Sequence, residues 1–316
     1  MSIAQQRLVF AVRIALGLGL LGLVLATTDR QAIARAFAGA NPWIVLPAIA
    51  GLVVVHVIPA LAWRSMGGDA LRRRLTLAEA VRTYYTGQAL GAVTPANLAG
   101  DVYRVSRMRS AGIGWMEAGG PIAVQRATSY LALAALALGG FVMVAPFGIG
   151  GALLPGGLAV VAIIGVGAGI LLSPPAWLQR RMSRMGALPD RRTRLRVLAV
   201  GIGSGLVFHA VAIALTWVIL VAVDARLGSA AVLAAVAVAR CAIALPLTPS
   251  GIGIQEGALA ALVAATGGPA PVAVAGMLLA RGGLVATVAV GAFAWVVPRR
   301  HRAEVGTGVA IGARQR

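Results

Sequence analysis

Two short stretches hold the residues most able to do chemistry in an otherwise apolar chain. One reads VTPANLAGDVYR over residues 93–104, the other LTPSGIGIQEGA over residues 247–258. Each has Thr-Pro, then small and polar residues, then one acid: Asp101 in the first and Glu256 in the second. Each acid is followed 25 residues later by an arginine inside an apolar run, Arg126 and Arg281. An arginine near a bilayer centre costs roughly 2.5–3.5 kcal/mol, so two of them imply partners or a hydrated cavity. Asp101 and Glu256 are the available counter-charges. Pro246 and Pro249 are expected to end one short helix, with Ser250 capping the next. Gly251 and Gly253 let other groups approach the backbone, and Gly257 is counted with the same break. Pro95, Asn97 and Gly100 mark the corresponding break in the first stretch. A restarting helix offers free N–H groups and a positive dipole end, which suit an anion. Arg104 has two readings, a contact at the cytoplasmic mouth or an ordinary loop arginine.

The surrounding elements must hold those breaks in a membrane. The chain has 316 residues, 59% of them hydrophobic and only 12% charged. Soluble domains carry about twice that charge. Several apolar runs reach the roughly 20 residues needed to cross a bilayer. The net charge is +19. All 28 basic residues are arginines, gathered between apolar runs. That pattern fits the positive-inside rule better than nucleic-acid binding, and no nucleic-acid partner is expected.

Spans are expected near 8–27, 43–63, 121–145, 151–173, 197–223 and 270–297. The segment 29–41, with Ile33, Phe37 and Ala40 on one side, suits a short interfacial helix. The runs 75–110 and 229–267 are each broken, and neither half is long enough to span. Arginine-rich segments at 64–82, 104–109, 180–196 and 299–316 are assigned to the cytoplasm. The linkers near 146–151 and 224–229 are assigned to the outside. Crossings then balance only if both broken runs enter and return, the first from the cytoplasm and the second from outside. The expected fold is therefore all-α and polytopic: about six full spans and two re-entrant hairpins in an inverted repeat. Its halves are about 43–145 and 197–297, in one membrane domain over 1–300. A basic cytoplasmic tail follows at 301–316, and both termini are inside. Non-helical backbone is tolerated at membrane depth where it is buried in protein or lines a wet cavity, and inverted broken-helix repeats are a transporter design.

Other chemistries find little support. Cys241 is the only cysteine, so no internal disulfide can form. His56, His209 and His301 lack metal-ligand spacing, and the first two are read as packed or hydrogen-bonded. Tyr84 and Tyr85 are read as interfacial anchors, and Gln88 as a weak candidate for cavity lining. GIGIQEG lacks the spacing and preceding strand of a dinucleotide loop. No nucleophile–base pair, metal cluster or phosphate loop is evident, so neither enzymatic activity nor a cofactor is expected. The arginine-flanked apolar run after Arg13 is read as an uncleaved first span.

Around the two breaks the chain resembles the lysylphosphatidylglycerol synthase transmembrane-region family, also called the flippase-like domain family. The resemblance rests on TPANLAGDVYRVSRMRSAGIGWMEAGGPIAVQRATSYLAL and LPLTPSGIGIQEGALAALVAATG, and covers roughly residues 5–300. Pro95, Gly100, Asp101, Arg104 and Arg126 occupy the first pattern, although NLAGD replaces the more usual double glycine. Pro246, Gly251, Gly253, Glu256 and Gly257 occupy the second. The resemblance implies a lipid flippase or transporter of the bacterial inner membrane. A phosphate-bearing or otherwise polar-headgroup lipid would be its substrate, moved through a central charged cavity. Asp101, Arg104, Arg126, Glu256 and Arg281 would bind or gate. Without a synthase domain, aminoacyl transfer is not expected. The alternative is a non-transporting scaffold or accessory subunit, with a lipid-biosynthesis enzyme as partner in a lipid, glycan or hopanoid-linked pathway.

Overall fold

Polar residues between apolar runs start many of the helices. Asp29 Oδ1 accepts the backbone N–H of Gln31 at 2.9 Å and opens α1's successor, the short helix α2 at Arg30–Gly39, after α1 at Ile3–Thr27. Asn41 Oδ1 accepts from Trp43 N at 3.0 Å, with Pro42 in the first helical turn of α3 at Pro42–Val54. After a turn at Val55–His56 the same apolar run continues as α4 at Val57–Met66. Thr76 and Glu79 form a reciprocal cap: Thr76 N donates to Glu79 Oε2 at 2.8 Å, and Glu79 N to Thr76 Oγ1 at 3.2 Å. That cap opens α6 at Leu77–Ala92, which follows α5 at Gly68–Arg74.

The computed structural model describes residues 3–92, 94, 97–144, 191–241 and 247–297. The expected span at 151–173, most of the basic loop at 180–196, the tail, Pro95 and Pro246 lie outside the described residues. Beyond α6 come α7 at Leu98–Ser110, α8 at Trp115–Val144 and α9 at Arg191–Val223. A 3-10 turn at Ala225–Gly228 leads to α10 at Ala230–Arg240. A second 3-10 turn at Pro249–Gly251 precedes α11 at Ile254–Ala265 and α12 at Ala270–Val296. All regular structure among the described residues is helical. Among the described residues, five helices or helix pairs are long and apolar enough to cross a membrane: Phe10–Thr27, Pro42–Met66, Trp115–Met143, Arg191–Val223 and Ala270–Val296. The basic segment after Arg64 is not a loop. Arg64 donates to the carbonyls of Leu75 and Arg72, at 2.7 and 3.0 Å, and ties α5 back onto α4.

The broken runs are helical hairpins. Gly91 lies against Asn97 and Gly87 against Gly100, so α6 and α7 pack antiparallel. A side chain on either of the inner glycines would collide with the opposite arm, which is why the arms can close. In the second hairpin, Val232, Ala235 and Val236 of α10 share a core with Leu259, Leu262 and Val263 of α11. Packing between the two units is reciprocal: α12 lies along α6, the first arm of the first hairpin, and α8 lies along α10, the first arm of the second. Lipid is as apolar as leucine, so close packing must hold such helices together. Gly283 of α12 seats Leu52 of α3, where an added Cβ would come within 2.7 Å of the leucine's own.

Candidate functional site

The turn of each hairpin contains one non-glycine residue in the left-handed region. Asn97 has φ 57° and Ser250 φ 49°, and these are the only non-glycine residues with positive φ among those described. Such a conformation costs roughly 1–2 kcal/mol outside glycine, less for asparagine. In both turns it points a backbone carbonyl at an arginine of the following long helix. Arg126 Nη2 donates to Asn97 O at 3.2 Å, and Arg281 Nη1 to Ser250 O at 2.8 Å. The same arginines hold the acids. Arg281 Nε meets Glu256 Oε1 at 2.7 Å, and Arg126 Nε pairs with Asp101 Oδ2. The two acid–arginine pairs expected from spacing therefore form, each beside its hairpin turn.

The expected role for Ser250 as a helix cap is not what the structure has. α11 starts after Gly253, and Glu256 itself satisfies the turn: its Oε2 accepts the Gly253 N–H at 2.8 Å. The N-terminus is thus occupied by an internal carboxylate. Gly253 has φ +81°, and a Cβ there would lie 2.6 Å from Leu20 Cβ and 2.8 Å from Gly17 O. Glycine is required both for the turn and for the seating of α1. Gly251 also takes a positive φ, 69°, while Gly257 lies within α11 facing Val24. Pro249 opens the 3-10 turn.

Arg104 is only 5% exposed, so it is neither a free contact at a mouth nor a loop arginine. It pairs with Asp101, donates to Gln125 Oε1 at 3.1 Å, and lies over the rings of Trp63 and Tyr84. The reading of Tyr84 and Tyr85 as interfacial anchors is corrected accordingly. Tyr84 supports Arg104 from inside, and the buried Tyr85 donates its hydroxyl to Val53 O at 2.5 Å. The aromatic pair looked interfacial because it sits on a short amphipathic helix, but α12 covers that helix.

Both hairpin turns open on one cavity of about 300 Å³. Its wall includes Gln88, Asn97, Arg104 and Arg126 from the first unit, and Thr248, Ser250, Gln255 and Arg281 from the second. Asp101 and Glu256 are not on that wall; they sit behind the arginines. His209 and Ser129 also line it, with Nε2 and Oγ 3.0 Å apart, and His56 Nδ1 bonds Leu52 O at 2.9 Å. The histidines are thus hydrogen-bonded, as their positions in apolar runs suggested. Sequence reasoning missed Arg240. It ends α10 and lines the cavity, yet makes no hydrogen bond or ion pair among the described residues. An arginine closing the run AAVLAAVAVAR was a visible signal, passed over because it has no acid at the spacing that marked the others. Four arginines against two carboxylates leave the cavity with surplus positive charge.

These features define a multi-pass α-helical membrane protein with a charged interior cavity between two hairpins. The family model for the lysylphosphatidylglycerol synthase transmembrane region matches residues 10–296. The chain belongs to that family. A comparison with curated proteins gave no significant match.

Proposed function

We propose that the protein moves a lipid with a phosphate-bearing, net-negative headgroup across the bacterial inner membrane. One observation carries this reading: a single cavity inside a membrane bundle, walled by arginines from both hairpins. The headgroup enters the cavity while the acyl chains stay in the bilayer. A volume of about 300 Å³ is at the small end of ligand sites, suited to a headgroup and not to a whole lipid. Asp101 and Glu256 hold Arg126 and Arg281 in place when the cavity is empty. In this account the chain has six spans, both hairpins are re-entrant, and the two units are inverted relative to each other, with both termini cytoplasmic. The exchange of partners, α12 on α6 and α8 on α10, supports a pseudo-twofold relation between them. The protein acts as a transporter and not as an enzyme.

A second reading, a non-transporting scaffold for a lipid-synthesising enzyme, draws on the commitment of both acids to internal bonds. Blocking the cavity separates the two. Ser204 lines it, and Cys241→Ser removes the native thiol. The variant Ser204→Cys in that background, reconstituted in liposomes, is expected to lose transbilayer lipid movement when a bulky charged thiol reagent modifies it. Complete modification with unchanged movement would remove the cavity from the route.

A further inference from the structure

The two units share a design but pair their charges differently. Each brings two arginines to the cavity wall, with one acid behind them. In the first, Asp101 pairs with both Arg104 and Arg126, and Arg104 is further held by Gln125 and two aromatic rings. In the second, Glu256 pairs with Arg281 and spends its other oxygen on the backbone of Gly253. Arg240 is left with no hydrogen-bond or ion-pair partner among the described residues. The charge that bears on it most is that of Arg281, which has the same sign.

Beyond Arg126 Nε, which faces Asp101, the side-chain donors orphaned on the cavity wall lie in the second unit, while Trp63 Nε1 and Thr86 Oγ1 of the first are orphaned away from it. Thr94 and Thr248 occupy matching places before the two turns. Thr94 Oγ1 donates to Gly91 O at 3.0 Å and accepts from Ala99 N at 3.1 Å. Thr248 is 6% exposed, and its hydroxyl has no partner among the described residues. Arg281 Nη2 and Arg240 Nε are likewise buried and unpartnered, and all three residues line the cavity. Buried polar groups are nearly always hydrogen-bonded, so three orphaned donors on one wall point to a missing acceptor. Two guanidinium groups and a hydroxyl together call for an anion with several oxygens.

We propose that Arg240, Arg281 Nη2 and the Thr248 hydroxyl form the seat of a phosphate group, placing the anion at the second hairpin and not midway between the two. This rests on the lipid-transport reading for the source of the phosphate. The shared chemistry is a phosphate with no compensating cation, carried by an anionic phospholipid or free in solution. Arg126 then serves to fix the first hairpin, and Arg240 is the specificity determinant for net-negative headgroups.

The test measures which lipids the purified full chain retains after equilibration with equal amounts of phosphatidylglycerol, phosphatidylcholine and diacylglycerol. A parallel arm titrates inorganic phosphate and follows thermal unfolding. The wild type is expected to enrich phosphatidylglycerol over both others. Arg240→Gln should cut that enrichment about tenfold or more, the worth of a charged hydrogen bond, and Arg240→Lys should keep part of it. Thr248→Val guards against misfolding. It removes an unsatisfied hydroxyl at nearly constant shape, so the lipid-free protein should unfold at an equal or higher temperature while phosphatidylglycerol enrichment falls. Enrichment unchanged in Arg240→Gln and in Thr248→Val would overturn the seat while leaving lipid transport standing. Stabilisation by inorganic phosphate with no lipid preference, lost in Arg240→Gln, would keep the seat and overturn the lipid reading. No enrichment and no phosphate response in the wild type would overturn both.

Discussion

Glu256 has both carboxylate oxygens committed, one to the Arg281 guanidinium and one to the Gly253 N–H, and it is completely buried. Removing one partner of such a pair leaves the other charge uncompensated and typically costs about 3–5 kcal/mol, whereas replacing both with apolar groups is often neutral. Glu256→Gln is therefore expected to lower thermal stability strongly, and Glu256→Gln combined with Arg281→Met to recover much of the loss. A double-mutant cycle on unfolding temperature checks this, and additive losses would mean that the pair is not coupled. Ser250 makes a different kind of demand. Its left-handed backbone favours glycine, so Ser250→Gly should be neutral or stabilising and Ser250→Val should cost about 1–2 kcal/mol. Equal unfolding temperatures for the two variants would show that the turn does not hold that conformation.

The paired stretches around Asp101 and Glu256 were legible in sequence because each combines three rare events: helix breakers, one acid, and an arginine inside an apolar run. Helix positions in the spans were legible for the usual reason, the length of the apolar runs. Other features depended on tertiary placement. Arg240 and the interior roles of Tyr84 and Arg104 follow from which helix covers which. The helical α5 follows from Arg64 reaching the carbonyls of Leu75 and Arg72. Among the hairpin arms, α6 is also held at its outer end, where Arg82 Nε donates to Ala294 O at 2.8 Å. Arg82→Met should loosen the contact between α6 and the C-terminal end of α12. Hydrogen exchange on α6 would then rise near its start and stay unchanged in α10, which has no such tether among the described residues. Equal exchange on α6 in the wild type and in Arg82→Met would make the tether incidental.

For the molecule as a whole, the proposed inverted arrangement implies that the outer ends of the two hairpins face opposite sides of the membrane. Ser110 follows the first hairpin and Ala225 precedes the second, and both are exposed. In a Cys241→Ser background, Ser110→Cys should react only with a reagent that reaches the cytoplasm, and Ala225→Cys with one confined to the outside. Labelling of both from the same side would exclude the inversion. The most direct test of the central claim is the transbilayer rate in liposomes. Protein is reconstituted with headgroup-labelled phosphatidylglycerol, phosphatidylcholine and a neutral glycolipid, and label accessibility to an external quencher is followed. The account expects protein-dependent movement, fastest for the anionic headgroup and reduced by Arg281→Ala in protein that remains folded. Well-folded wild type that leaves every lipid at the rate of empty liposomes would contradict it.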